Sequence, residues 1–276
     1  MTVVNLARAA LALFAIATLM ASPARAVDTI PFTVVKGGLI AVQGSVDGQA
    51  PVPMLVDLGA GVDVLSTTLG RKLVLVKGKY VSLRLTGQRV DLPIGTIVSL
   101  AIGGVKVDAP HVGVWSGLDG TGTDGLISAT AFRNIATTFD FLNHQIIIED
   151  AQTFPERERT GIKVPVVLQD DLGIALGIFA RFDFGGGKTG LCEIDTGSEG
   201  ITLDKTFAAS LGLDANAGSA RLAAISIDGV PETAIERPTV ALGNLIYDCN
   251  VGNSFWAGKL FTLDLPNRVL WVARRS

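Results

Sequence analysis

Two acids, Asp57 and Asp195, stand in short cassettes of one design: an apolar run, then Asp-x-Gly, then a small residue. The first copy reads Val56-Asp57-Leu58-Gly59-Ala60 and the second Ile194-Asp195-Thr196-Gly197-Ser198. Such a cassette places a carboxylate at the tip of a buried strand, and its Gly permits a tight turn with backbone close to the acid. Two tips facing across a twofold axis bring the acids so near that both cannot ionise, and they share one proton. One carboxylate can then deprotonate a water while the other protonates a carbonyl oxygen. That chemistry hydrolyses an amide without a metal, a cofactor or a covalent intermediate.

The twofold axis is written into the chain as an internal repeat. Subtracting 138 carries Asp195 onto Asp57, Ile178 onto Ile40, Gly186 onto Gly48, Leu203 onto Leu65 and Leu211 onto Leu73. A second register, offset by 124, carries Val251-Gly252 onto Ile127-Ser128 and Trp256 onto Phe132. It also carries Thr262-Leu263-Asp264-Leu265 onto Thr138-Phe139-Asp140-Phe141. The second copy is therefore 14 residues shorter in its middle.

Short Val/Ile/Leu-rich runs alternate with turns such as Val46-Asp47-Gly48-Gln49 and Ile102-Gly103-Gly104-Val105. This pattern predicts many short strands joined by hairpins. Short helices are expected over Ser66 to Leu73 and Asp204 to Leu211, each a fixed distance beyond its cassette, with Asp204 as N-cap and Gly212 as stop. The polar run from Phe154 to Gly161 reads as a solvated linker between copies. The expected division is residues 27–150 for lobe one, 151–160 for the linker and 161–276 for lobe two.

The first 26 residues read as a signal peptide: Arg8, an apolar run from Ala9 to Ala21, then Ala24-Arg25-Ala26 as a small-x-small cleavage site. The run has 13 residues, short of the roughly 20 that span a bilayer, so stable membrane insertion is not expected. The expected location is the periplasm or the exterior. Cleavage leaves 250 residues with 21 basic and 26 acidic side chains, a net charge near −5, which excludes a nucleic-acid partner. Cys192 and Cys249 each lie three residues before a landmark, Asp195 and Gly252. If those landmarks are on neighbouring strands, the sulfurs suit a disulfide in an exported protein; buried thiols acting as small hydrophobes are the alternative.

The two cassettes resemble the hydrophobic-Asp-Thr/Ser-Gly-Ala/Ser signature of pepsin-like and retropepsin-like aspartic proteases. Asp124-Gly125-Leu126-Ile127-Ser128 and Asn250-Val251-Gly252-Asn253 are similar to that family's hydrophobic-hydrophobic-Gly element. Thr138-Phe139-Asp140 and Thr262-Leu263-Asp264 resemble the closing strands of its bacterial members. The resemblance implies a mainly β, two-lobed acid-protease fold with pseudo-twofold β-barrel lobes and short helices. It implies an aspartic endopeptidase with Asp57 and Asp195 catalytic and Gly59, Ala60, Thr196, Gly197 and Ser198 supporting the loops. A peptide or protein is the expected substrate, and a monomer suffices because one chain holds both cassettes.

Two residues depart from that pattern, both in lobe one. The family's hydroxyl after each Asp ties the loops together; Thr196 supplies one half and Leu58 cannot supply the other. Ser128 stands where Gly is preferred and is expected to crowd the back of the first cassette. These departures feed the alternative reading, a non-catalytic peptide-binding module on a degenerate fold. Ser198 is expected to donate to Asp195, while Ala60 offers Asp57 nothing, which makes Asp57 the expected holder of the shared proton.

The stretch Tyr80 to Val90, with its tip near Gly87, is either a flap over the cleft or an ordinary surface hairpin. Leu222 to Ile235 is a candidate to close from the other side. Gly185-Gly186-Gly187-Lys188-Thr189 lacks the leading Gly of a phosphate loop and reads as a turn. Asp119 to Asp124 reads as a flexible loop, and Asp63 as an exposed or capping residue. His111 and His144 have no companion at metal-ligand spacing. Asp140 and Asp264 read as structural members of the closing strands.

Overall fold

The computed structural model describes residues 28–85, 88–109 and 111–274. The expected signal segment and the expected flap tip at Gly87 lie outside the described residues. The chain is mainly β and two-lobed, with three sheets and a few short helices. One sheet belongs to each lobe, and a six-stranded sheet joins them.

Each lobe folds its cassette in the same way. In lobe one, Val52–Val56 runs parallel to Gly125–Ile127, which itself pairs antiparallel with Asp63–Leu65. The inserted strand Gly125–Ile127 thus separates two segments close in sequence, so residues 57–62 must arch over its end. That arch is the first cassette. Lobe two repeats it: Thr189–Ile194 runs parallel to Cys249–Val251, which pairs antiparallel with Ile201–Asp204. The registers Met54↔Gly125 and Cys192↔Cys249 reproduce the offsets of 138 and 124 seen in the sequence.

The joining sheet is a palindrome: strands Asp28–Pro31, Gln145–Ile148 and Thr137–Asp140, then Leu260–Asp264, Val269–Ala273 and Gly161–Pro165. At its centre Thr138 faces Thr262, their hydroxyls 2.6 Å apart, and Phe139 stacks on Phe261 at 5.1 Å between centroids. Trp256 and Phe132 pack beside these rings, so a single apolar core runs from one lobe into the other. Asp140 and Asp264 close the hairpins of this sheet by accepting from Asn143 and Asn267. Their role is structural, as the repeat implied.

Local details follow from local chemistry. Asp47 and Gly48 both take positive φ, 49° and 70°, the two-residue hairpin geometry that matches strand twist. The lobe-two helix spans Lys205–Ser210, with Asp204 capping Thr206 and Phe207; its lobe-one counterpart is only Thr67–Gly70, capped by Ser66. Gly185, Gly186 and Gly187 form the expected turn. Cys192 and Cys249 are bridged, their Cα atoms 4.4 Å apart on paired strands.

Two segments are more ordered than the sequence suggests. Phe154–Thr160, expected as a solvated linker, is a helix with none of its residues buried. Pro155 in its first turn, Glu156 near its N-terminus and the Glu156–Arg159 ion pair all favour helix there. Arg157 pins it to buried Glu149 of lobe one at 2.7 Å. The Asp119–Asp124 loop is tied down, because Asp119 accepts from the backbone and hydroxyl of Thr67 and Asp124 accepts from Ser66. Asp119 takes up the first N–H of the short helix, and Asp124 holds its Ser66 cap.

Candidate active site

The arches over the two inserted strands meet head to head. Asp57 accepts from the Gly59 N–H at 3.1 Å, and Asp195 from the Gly197 N–H at 2.8 Å. Each acid also lies against the opposite glycine. A Cβ on Gly197 would sit 2.2 Å from Asp57 Cγ, and one on Gly59 would sit 2.7 Å from Asp195 Cγ. No larger residue fits either position, so both cassette glycines are fixed by the approach of the acids.

Burial first, and the neighbouring Asp195 carboxyl second, push Asp57 well above the ordinary carboxylate range. Nearby Glu193 adds to the shift, and the Gly59 N–H opposes it. The protonated form of Asp57 is thereby favoured.

The tie between the loops is present in one half. Thr196 Oγ1 donates to the Val56 carbonyl at 2.7 Å and accepts from the Leu58 N–H at 3.1 Å. Leu58 cannot reciprocate, and its side chain is fully buried in the shared core. Asn253 reinforces the same junction, donating to the Thr196 and Gly38 carbonyls at 2.7 and 3.0 Å.

Ser198 does not contact the Asp195 carboxylate. Its hydroxyl donates to Asn250 Oδ1 at 2.9 Å, and Asn250 Nδ2 donates to Asp195 Oδ2 at 2.6 Å. Asn250 is in register with Glu193 on the neighbouring strand and so reaches the acid from beside it, whereas the Ser198 side chain turns back beneath its own loop. The polar partner of Asp195 thus comes from the paired strand and not from its own cassette.

Two lobe-one expectations change together. Asp63 is neither exposed nor a helix cap: it is buried, accepting from the Ser128 N–H at 2.7 Å and the Thr130 hydroxyl at 2.8 Å. Ser128 does not crowd the cassette, because Asp63 gives its backbone a partner and Thr130 gives its hydroxyl one. In lobe two the matching Gly252 is enclosed by carbonyls, where a Cβ would meet Gly200 O at 2.4 Å. Burial raises the Asp63 pKa to about 7 despite these hydrogen bonds.

A cavity of about 270 Å³ opens beside Asp57. The hairpin Val74–Leu85 with Gln88–Thr96 contributes Ser82, Val90 and Leu92 to its wall, as a flap would. From lobe two the wall is the loop Leu245-Ile246-Tyr247 and the strands about Gln169 and Phe179. The hairpin within Leu222 to Ile235 is absent from that wall; the shorter middle of the second copy puts another loop there. Glu193 also lines the cavity and accepts from the Tyr247 hydroxyl. Sequence reasoning passed over Glu193, although strand alternation puts residues two apart on one face and Glu193 stands two before Asp195.

Residues 42–131 match the family model described as aspartyl protease. Among solved structures, the chain is similar to the aspartic proteinase from Irpex lacteus, with 14% identity, a TM-score of 0.55, and coverage of 91% of this chain and 98% of that one. It is likewise similar to basic 7S globulin from soybean, with 12% identity, a TM-score of 0.55, and coverage of 91% and 95%. No curated protein matches the sequence.

Proposed function

We propose that this protein is an aspartic endopeptidase, because residues 42–131 match the family model described as aspartyl protease and the described residues take a two-lobed fold similar to that of an aspartic proteinase. The carrying observation is the head-to-head contact of the cassettes, with each acid packed against the opposite glycine. A water held by the pair loses a proton to ionised Asp195 and attacks the substrate carbonyl carbon. Asp57 gives its proton to the carbonyl oxygen as the tetrahedral intermediate forms. Collapse returns a proton to the leaving amine. Asp57 and Asp195 react; Gly59, Ala60, Thr196, Gly197 and Ser198 shape and hold the loops, Ser198 through Asn250.

The protein works as an exported monomer on extended peptides, in keeping with its disulfide and its N-terminal sequence. Cleavage of an unfolded protein should be fastest below neutral pH, because the pair must keep its shared proton. Asp195→Asn should remove cleavage while leaving the thermal unfolding midpoint near that of the parent. Full cleavage by that variant excludes the mechanism.

A second reading, a peptide-binding module without catalysis, rests on Leu58, whose burial fills the place of one loop-tying hydroxyl. It predicts peptide binding without hydrolysis at any pH from 3 to 8.

A further inference from the structure

Glu193 is buried beyond what the scaffold demands. Its residue is 8% exposed, its Oε2 accepts from Tyr247, and among the described residues its Oε1 accepts no hydrogen bond. The same position of the repeat in lobe one, two residues before Asp57, is Leu55 on an equivalent strand. The fold therefore does not require an acid here. A buried carboxyl with an open oxygen is costly to seal beneath an apolar group, and it is relieved by a donor or a cation.

The cavity that Glu193 lines has the matching character. Among the described residues, its wall carries three carboxyls, Asp57, Asp171 and Glu193, and no Lys, Arg or His side chain. Apolar surface from Val64, Leu92, Trp115 and Phe179 completes it. A side chain with an apolar stem and a cationic head suits such a wall: the stem lies on the rings and the head meets the carboxyl. Glu193 stands two residues before Asp195, near the end of the strand Thr189–Ile194, about 6.6 Å of extended chain that a Lys or Arg side chain next to the reacting carbonyl can span. An anionic side chain would face three acids, and an apolar one would leave the open oxygen capped and unpaired.

We propose that Glu193, held by Tyr247, is the specificity-determining residue of a subsite for a Lys or Arg side chain beside the scissile bond. This rests on the endopeptidase reading. In the empty cavity, burial first and the Asp195 charge second push Glu193 up to about 8, with Tyr247 opposing. Among the described residues, the titratable groups about it are Asp195 just beyond its strand, Asp57 across the junction, Tyr247, and Asp171 on the same cavity wall. A cation entering the cavity drives Glu193 to ionise, so the preference strengthens as pH rises from 5 to 8.

The test uses two peptides that differ only in Lys or norleucine next to the cleaved bond, assayed with the wild-type protein and Glu193→Gln. The expected wild-type kcat/KM ratio is at least tenfold in favour of Lys at pH 7 and smaller at pH 5. Glu193→Gln should bring the ratio to about one whatever its absolute rate. A wild-type ratio at or below one overturns the subsite, as does a ratio that Glu193→Gln leaves intact. If the wild type cleaves neither peptide, the endopeptidase reading fails, and the Kd ratio of the same peptides for the wild-type protein decides the subsite by the same tenfold criterion. Should Glu193→Gln not fold, the pH trend of the wild-type ratio decides it, a flat or falling trend overturning the proposal.

Discussion

The two lobes solve the same problem, holding one Asp at the tip of an arch, with different materials. Lobe two uses a disulfide between Cys192 and Cys249 beneath the arch; at the matching register lobe one lays Met54 over Gly125, where a Cβ would come 3.1 Å from the sulfur. Lobe two braces its acid with Asn250 and Ser198; lobe one has Leu126 and Ala60 at those places. Behind the arch, lobe two uses bare Gly252 against carbonyls, and lobe one a buried acid with two hydroxyl residues. Only the Asp and the Gly are common to both. The meeting of the two acids constrains the few atoms at the junction and leaves each lobe free to support them in its own way.

The largest effect expected from that division is at the shared glycines. Gly197→Ala should lower kcat/KM by at least a hundredfold, since its Cβ falls inside the Asp57 carboxyl, and Gly59→Ala should do somewhat less. Near-normal rates in both would mean that the arches do not meet in solution as described. Next is the cross-link. Replacing Cys192 and Cys249 by Ala together should lower stability by about 4 kcal/mol by the loop-entropy relation for a separation of 57 residues. Hydrogen exchange should show that loss falling on lobe two, with lobe one protected as before.

Asp63 sharpens the comparison from the other side. Its folded pKa, about 7, lies above the ordinary 3.8, so between those values the folded chain holds a proton that the unfolded chain has released. Stability therefore falls as pH rises from about 4 to 7 and levels off above, by a few kcal/mol. Asp63→Asn should flatten that part of the denaturant-midpoint profile. An unchanged profile would remove Asp63 as its source.

The smallest effect is at Leu58. Leu58→Thr restores the second loop-tying hydroxyl, each hydrogen bond contributing about 1 kcal/mol, but gives up fully buried apolar volume in the shared core. The expected outcome is a stability loss of about 2 kcal/mol with a few-fold gain in kcat. A fall in both would show that lobe one depends on Leu58 as packing and no longer needs the hydroxyl.

The sequence made the repeat legible because the scaffold constrains it at fixed offsets: apolar strand residues, the Asp-x-Gly tips and the Thr-x-Asp closing strands must all recur. The two-lobed fold and the pairing of Asp57 with Asp195 follow from that recurrence. Asymmetric features were harder to read. Asp63 resembles a surface residue until strand Asp63–Leu65 is placed between two others, and Glu193 looks incidental until alternation sets it on the face of Asp195. Asn250 becomes meaningful only through its partner strand. The helix over Phe154–Thr160 was hidden because its charges satisfy a linker as well as they satisfy a helix.

The palindromic sheet has a kinetic consequence. Its six strands come from residues 28–31, 137–148, 161–165 and 260–273, so its contacts span nearly the whole described chain. Pairings of such sequence separation form late, because the closure entropy of the intervening chain comes first. Each lobe can condense as soon as its own strands exist. The joint where the acids meet waits for the final strands, so a chain still emerging from a ribosome has two halves and no joint.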